Sequence, residues 1–329
     1  MIRPFRLWDV ARVARLQREG VPLDLETHLT RSRSPLGMAL VSHFLPASDG
    51  VCTCVADHKE ENGGWCGFAQ MRQRPGRNEY VIAMIAPALA SGSGAHVAWQ
   101  RLLAHLAVQA GERGGQRLYA GLPGEGEEYQ LFRHMGFTAY AQEDVYQFSD
   151  GGCWPQAAPL PLRRQRDRDS WGLQQLYAAV TPRSVQAAEG SGQGEWELNH
   201  RRWPAAPQRQ GYVWEVGGDI HAALHIRSRP GVYWLRALLH PDFSDRAANL
   251  IAAALEGIRH PRGQRIFWAV RSYESSLAAT LRDCGFQPVA QQTLVVKHCT
   301  VRLREPVTQP VAALNGKAEH AAHTIKYNE

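Results

Sequence analysis

Apolar positions along the first 150 residues alternate between two periods. Arg3 to Phe5 reads as a short strand. Asp9 then stands as an N-cap before a helical stripe of Val10, Val13, Ala14 and Leu16. Gly20-Val21-Pro22 stops that helix, and a second runs from Leu23 to Leu29. Ser34-Pro35 marks a break, and Met38-Ala39-Leu40-Val41 fits helix or strand equally. Val51 to Ala56 alternates as a strand, Asn62-Gly63-Gly64 is a hairpin turn, and Trp65 to Arg72 returns. After the turn Pro75-Gly76-Arg77-Asn78, Glu79 to Ile85 is apolar nearly throughout, which predicts a central strand covered on both faces. A helix from about His96 to Ala110 carries Val97, Leu102, Leu103, Leu106 and Ala107 on one stripe. Leu118 to Leu122 is a strand, and Glu127 to Met135 is a helix closed by Gly136. Val145 to Phe148 is the expected last strand of the unit.

The order then starts again. Gln116-Arg117 returns as Gln264-Arg265, 148 residues on, and Gly136-Phe137 returns as Gly285-Phe286, 149 residues on. One residue of drift across a strand-helix-turn-strand block predicts a duplicated domain rather than a solenoid. The second copy reads as a strand at Leu162-Arg163, a helix at Ser170 to Val180, and a hairpin of Tyr212 to Val216 and Ile220 to Ile226 across Gly217-Gly218-Asp219. A central strand at Val232 to Leu239 and a helix at Ser244 to Ile258 follow, then Phe267 to Val270, Ser275 to Cys284 and Thr293 to His298. The expected organisation is a first domain over 1–150, a Gly- and Pro-rich linker over 151–161, a second domain over 162–303 and a disordered tail over 304–329. The fold class is α/β, in α+β layers: two tandem domains, each a mixed, mainly antiparallel sheet covered by helices.

Composition adds limits. The chain has 329 residues, 44% hydrophobic and 21% charged, with a net charge of +6. Two domains of ordinary size fit that length. The mild basicity suits an anionic ligand, but no dense basic run alternates with aromatics as a nucleic-acid surface would require. None of the six cysteines forms a C-x-x-C pair, so no metal site is expected and buried thiols are. No run approaches the roughly 18 apolar residues of a membrane span, and the start lacks an apolar signal core. A cytoplasmic protein is expected. Trp65, Trp99, Trp214, Trp234 and Trp268 fall inside predicted elements and read as packing residues.

The segment with chemistry in it is Leu89-Ala90-Ser91-Gly92-Ser93-Gly94-Ala95, between the central strand and the long helix. Small residues there bare the first amides of a helix, which with the helix dipole make a seat for phosphate. No Gly-Lys-Ser/Thr follows, so this is not a Walker loop, and the third glycine of a Rossmann fingerprint falls at Val97.

Several stretches together resemble the GNAT-type (acyl-CoA) N-acetyltransferases in tandem form. They are the opening Ile2-Arg3-Pro4 with Trp8-Asp9, the loop Leu89 to Gly94, the run Leu131 to Phe137 ending in Gly-Phe, the strand Val145 to Phe148, and in the second copy Leu239-His240-Pro241-Asp242-Phe243 and Leu281 to Phe286. The likeness covers about residues 1–150 and 160–300 and rests on the order of elements. It implies acetyl-CoA as co-substrate. Met84, Ile85 and Ala86 would supply main-chain contacts to the pantetheine, and Ser91, Gly92, Ser93, Gly94 and Ala95 would cradle the pyrophosphate. The implied reaction is direct attack of a small amine or aminoacyl substrate on the thioester. Glu79 is the base by analogy, with Tyr129 or Tyr119 as acid and Glu26 near the acceptor. The chain departs from the family pattern at three places. Leu89 stands where Gln or Arg is preferred, the usual proton-donating Tyr is Phe132 (Leu281 in the second copy), and the second loop, Ser244 to Asn249, has no glycine and carries Asp245. The second copy therefore reads as a degenerate half. The competing expectation is a catalytically inactive binding or scaffold protein that docks a partner on its second domain. Either a monomer or a homodimer fits the sequence.

Overall fold

The computed structural model describes residues 1–30, 34–45, 50–58, 65–148, 155–190, 196, 208–258 and 263–299. The first half contains β1 (Ile2–Pro4), α1 (Val10–Leu16), β2 (Val21–Pro22), α2 (Leu25–Thr30), α3 (Pro35–Phe44), β3 (Val51–His58), β4 (Trp65–Gln73), β5 (Glu79–Ala86), α4 (Ser93–Glu112), β6 (Arg117–Leu122), α5 (Glu127–His134) and β7 (Thr138–Phe148). The second contains β8 (Arg163–Arg164), α6 (Ser170–Val180), α7 (Arg183–Glu189), β9 (Gln208–Val216), β10 (Asp219–Arg229), β11 (Val232–Leu239), α8 (Ala247–Gly257), β12 (Arg265–Arg271), α9 (Ser275–Asp283) and β13 (Phe286–His298). The expected mixed sheet under helices is present, and the order of elements runs through it twice. The expected turn at 62–64 and the tail at 304–329 lie outside the described residues, as does 151–154 of the expected linker.

The two halves share one sheet, in the order β1-β3-β4-β5-β6-β13-β7-β12-β11-β10-β9-β8, with β2 set against β5. Here the structure corrects the sequence reading. β7 was expected to close the first unit, but it does not pair with β6. It crosses to pair with β12 of the second half, while β13 crosses back to pair with β6. The two exchanged strands pair with each other, antiparallel, along most of their length. Alternation along a strand sets which face is buried; it carries no information about which neighbour supplies the hydrogen bonds.

At the centre of this exchange Glu143 on β7 faces Gln292 on β13, its own counterpart 149 residues later. The Gln292 amide donates to Glu143 Oε1 at 2.6 Å. Arg271, at the end of β12, reaches Glu143 Oε2 at 2.9 Å and Glu189 Oε1, on α7, at 3.1 Å. The Tyr177 hydroxyl donates to the other Glu189 oxygen at 2.8 Å. Burial works against the Arg271 charge, but Glu143 and Glu189 outweigh it and hold its pKa well above the ordinary value.

Each half also opens with the same clamp. Arg3 forks onto Asp9 at 2.5 and 2.7 Å, and Arg163 forks onto Asp169 at 2.7 and 2.9 Å. Asp9 occupies the position before α1, but its carboxylate accepts from the Arg6 amide and from Arg3 instead of capping the helix. Ser34 does cap α3, accepting from the Gly37 amide at 3.1 Å. The long helix α4 begins at Ser93, three residues earlier than expected. Its buried Ala95, Ala98, Trp99, Leu102, Leu103, Leu106 and Ala110 form the inner stripe of the first core. In the second half, the expected helix from Ser244 starts as a 3₁₀ turn over Pro241–Arg246 and becomes α-helical at Ala247.

Because each half supplies a central strand to the other, calorimetry on the full chain is expected to show one unfolding transition with matching calorimetric and van't Hoff enthalpies. Arg271→Ala leaves two buried carboxylates without their cation. It should lower stability by about 3–5 kcal/mol in chemical denaturation.

Candidate functional site

The loop between β5 and α4 is built as the sequence suggested. Leu89–Ser91 make a 3₁₀ turn, and Gly92 follows at φ +131°, a conformation that a side chain resists. A Cβ at Gly92 would meet nothing within 4 Å, so the loop faces open space. The Ala95 amide bonds back to the Gly92 carbonyl at 3.0 Å, and the earlier amides of α4 start a 20-residue helix with no acidic residue in its first turn. Gly94 is small for a different reason: a Cβ there would sit 2.9 Å from Trp65 Cβ. His96, one turn in, pairs with Glu127 at 2.8 Å. Leu89 is 3% exposed and belongs to the first core, so it offers the loop no polar group. Ser91 and Gly92 are exposed and Ala95 is buried. The loop fits a diphosphate.

The strand before the loop fits a pantetheine less well. β5 pairs in parallel with β6 only from Glu79 to Val81, and beyond that the two strands separate. The chain itself fills the gap. Val21 lies opposite Ile85 and Pro22 opposite Met84. The Leu23 amide donates to the Ala83 carbonyl at 3.0 Å, and the Gly121 amide, on β6, donates to the Leu23 carbonyl at 2.8 Å. The Ala88 amide reaches the Glu19 carbonyl at 2.7 Å. Gly20 permits this approach, since a Cβ there would lie 3.1 Å from Met84 Sδ. The edge of Met84, Ile85 and Ala86 expected to bind cofactor therefore already carries residues 19–23. Within Gly20-Val21-Pro22, read in the sequence as a helix stop, Val21 and Pro22 also form a strand.

Glu79 is 6% exposed at the start of β5. Arg77 lies 3.0 Å from its carboxylate, Arg74 3.3 Å and Arg117 3.4 Å, and the Tyr119 hydroxyl lies 3.4 Å away. That hydroxyl also donates to the Ala188 carbonyl of α7 at 3.0 Å, so the second half covers this cluster. Burial, and then Glu79, push the Tyr119 phenol far up. Three guanidinium groups make Glu79 an anchor for positive charge, poorly placed to take a proton from an amine. Tyr129 is half-buried on α5, with Arg133 over its ring at 5.8 Å. α5 follows the far end of β6, about 17 Å of strand from the end that meets Glu79. The structure does not bring Glu79 and Tyr129 together. Phe132 is fully buried against Trp99 and Phe137.

The second half shows the opposite pattern. β11 pairs with β12 from Val232 to Leu235, and among the described residues no strand takes the continuing edge at Ala237–Leu239. The loop after it has no glycine, and Asp242 and Asp245 are exposed beside the helix start. Glu26, expected near an acceptor, ion-pairs instead with Arg227 on β10, and Leu25 and Leu29 of α2 pack on Val232, Trp234 and Phe267. One group escaped the sequence reading. Glu274, just past β12, accepts from the Arg271 amide at 2.8 Å. Burial pushes its carboxyl up to about 7, against the pull of the Arg271 amide, Arg236 and Arg271. Its only signal in the sequence was its place beside the end of a strand. Among the described residues no cluster of side chains is suited to a metal ion, and no helix is long and apolar enough to cross a membrane.

No protein-family model matches the chain, and no curated protein matches its sequence. Solved structures do show similarity. A functionally unknown conserved protein from Staphylococcus epidermidis aligns over 70% of this chain and 91% of its own, at TM-score 0.49 and 10% identity. A tandem GNAT protein from the clavulanic acid biosynthesis pathway aligns over 91% of this chain and 98% of its own, at TM-score 0.48 and 14% identity. A GCN5-related N-acetyltransferase from Sphaerobacter thermophilus aligns over 91% and 95%, at TM-score 0.48 and 13% identity. At these levels the likenesses transfer neither site residues nor a reaction to this chain.

Glu274 gives a pH dependence with a definite sign. Its folded pKa lies above the ordinary carboxyl value, so its contribution to stability is complete below about pH 4.5 and is lost as pH rises through about 7. Denaturation midpoints measured from pH 5 to 8 should fall with rising pH. Glu274→Gln should remove that part of the slope.

Proposed function

We propose that the protein is a tandem GNAT-type acyltransferase whose first half seats acetyl-CoA and whose substrate is a small amine or aminoacyl compound. The loop at Gly92 carries this reading, with its open approach, its positive φ and the start of a long helix that has no acidic residue in its first turn. Its place after a strand that parts from its neighbour supports the same reading. Such a reaction suits the cytoplasm, where the chain would act as a monomer or homodimer.

The cost of entry can be estimated. Releasing residues 19–23 gives up the Leu23 hydrogen bonds to both strands and uncovers a fully buried leucine. That is about 3–5 kcal/mol, at roughly 1 kcal/mol per hydrogen bond and roughly 1.5–3 for the side chain. A closed state of that depth weakens cofactor affinity by about 10²–10⁴-fold. Binding is then weak but measurable.

A second reading, a catalytically inactive binding or scaffold protein with the second half as its docking surface, is favoured by the same filled gap. The arginine-bound Glu79 and the apolar Phe132 support it as well.

Thermal-shift titration with acetyl-CoA to millimolar concentration separates the readings, because a ligand of the folded state raises the melting temperature. A shift is expected in the parent chain. It should vanish in Gly92→Glu and appear at lower cofactor concentration in Leu23→Ala. No shift in the parent or in Leu23→Ala removes the cofactor. A shift without thiol release across an amine panel leaves the scaffold reading.

A further inference from the structure

Residues 19–23 fill the gap between β5 and β6, and the chain that follows them is fastened to the other half. Gly20 follows α1 and opens the segment. From Val21 to Thr30 there is no further glycine, and Pro22 fixes one φ angle. Asp24 is the joint between strap and helix. One carboxylate oxygen accepts from the Thr27 amide at 3.1 Å, which caps the start of α2. The other accepts from Arg72 on β4 at 2.6 and 2.9 Å. The His28 amide donates to the Asp24 carbonyl at 2.9 Å, so the first turn of α2 begins on the same residue. The strap and α2 are therefore one stiff piece.

By sequence α2 belongs to the first half, yet it lies on the second. Leu25 and Leu29, one turn apart, pack against Val232 and Trp234 of β11 and Phe267 of β12. Glu26 ion-pairs with Arg227 of β10, and the two side chains are only 23% and 19% exposed. Arg227 stands opposite Trp234 in the sheet, so the ion pair and the apolar seat share one patch. A strand-like occupant of the gap needs about 4.8 Å of room. Neighbouring Cα atoms lie about 3.8 Å apart, so moving Leu23 that far draws Asp24 and the first turn of α2 with it.

We propose that α2 is a latch: its seat on β10, β11 and β12 holds residues 19–23 in the gap of the first half, and lifting α2 opens that gap. The second half thereby controls access to the edge of Met84, Ile85 and Ala86. Each step of the coupling is a contact already in place: Arg227 to Glu26, α2 to Asp24, and Leu23 to β5 and β6. The functional consequence, entry of acetyl-CoA, rests on the reading of the first half given above. The coupling itself does not.

Hydrogen exchange on the full chain, read amide by amide, tests the coupling without any cofactor. In the parent chain the Leu23, Gly121 and His28 amides should open together, more readily than the amides of β12 and β13. Glu26→Gln and Arg227→Gln each weaken the seat of α2. Each should quicken exchange at all three amides by about fivefold or more and leave β12 and β13 unchanged. A faster His28 beside an unchanged Leu23 and Gly121 overturns the latch, because the helix then lifts without the strap. One common rate for these amides and for β12 also overturns it, because the gap then opens only with global unfolding. Where a variant folds poorly, the comparison of Leu23 with His28 in the parent chain decides the matter. Titrating the same variants with acetyl-CoA is a separate measurement: a loosened strap without cofactor binding upholds the latch and removes the cofactor.

Discussion

A strand edge can be hydrogen-bonded only once, and the way this chain spends its edges determines the rest of its structure. β6 gives its outer edge to β13, and β12 gives its outer edge to β7. Neither half can then close its own sheet. The two exchanged strands meet along a pseudo-twofold axis, where Glu143 faces Gln292. Two glutamates there would place like charges directly opposite, which destabilises a pair of strands. With Gln292 on one side the axis carries a hydrogen bond, and the single Glu143 charge is met by Arg271. The first half has no need of such a cation, and Pro123 stands where Arg271 stands in the second, 148 residues earlier. A duplicated chain can break its own symmetry in this way. A homodimer of identical units cannot.

The same accounting of edges governs the candidate site. The two halves differ in how their loop and edge are built. The first kept the glycine loop, yet its parted strands are bridged by Val21–Leu23. The second has an unclaimed edge at Ala237–Leu239 among the described residues, yet its loop has no glycine and carries Asp242 and Asp245. Neither half combines a glycine loop with an open strand edge unless residues 19–23 move.

The repeat was legible in the sequence because its markers are local. Gln-Arg before a strand and Gly-Phe after a helix depend on turn and cap chemistry, which acts within a few residues. The Gly92 loop was legible for the same reason. The strand exchange was not, because Val145 to Phe148 alternates identically whichever strand lies beside it. The role of Gly20-Val21-Pro22 was hidden because a glycine and a proline that stop a helix leave no trace of a later pairing with β5. Glu79 looked available as a base because the sequence shows Arg74, Arg77 and Arg117 as scattered surface charges. Only the fold brings all three within 3.4 Å of one carboxylate.

The exchange of strands also explains why each half's short helix lies on the other half. Once β7 and β13 have crossed, the faces of β6 and β12 nearest the axis lie under chain from the opposite unit. α7 covers Tyr119 and, through it, Glu79, and α2 covers Trp234 and holds Arg227 through Glu26. Charged side chains of one half are therefore held in place by the other. Glu79 is restrained by a carbonyl of α7 at one remove, and Arg227 is held by an acid of α2. A change at either place therefore acts on the contact between the halves.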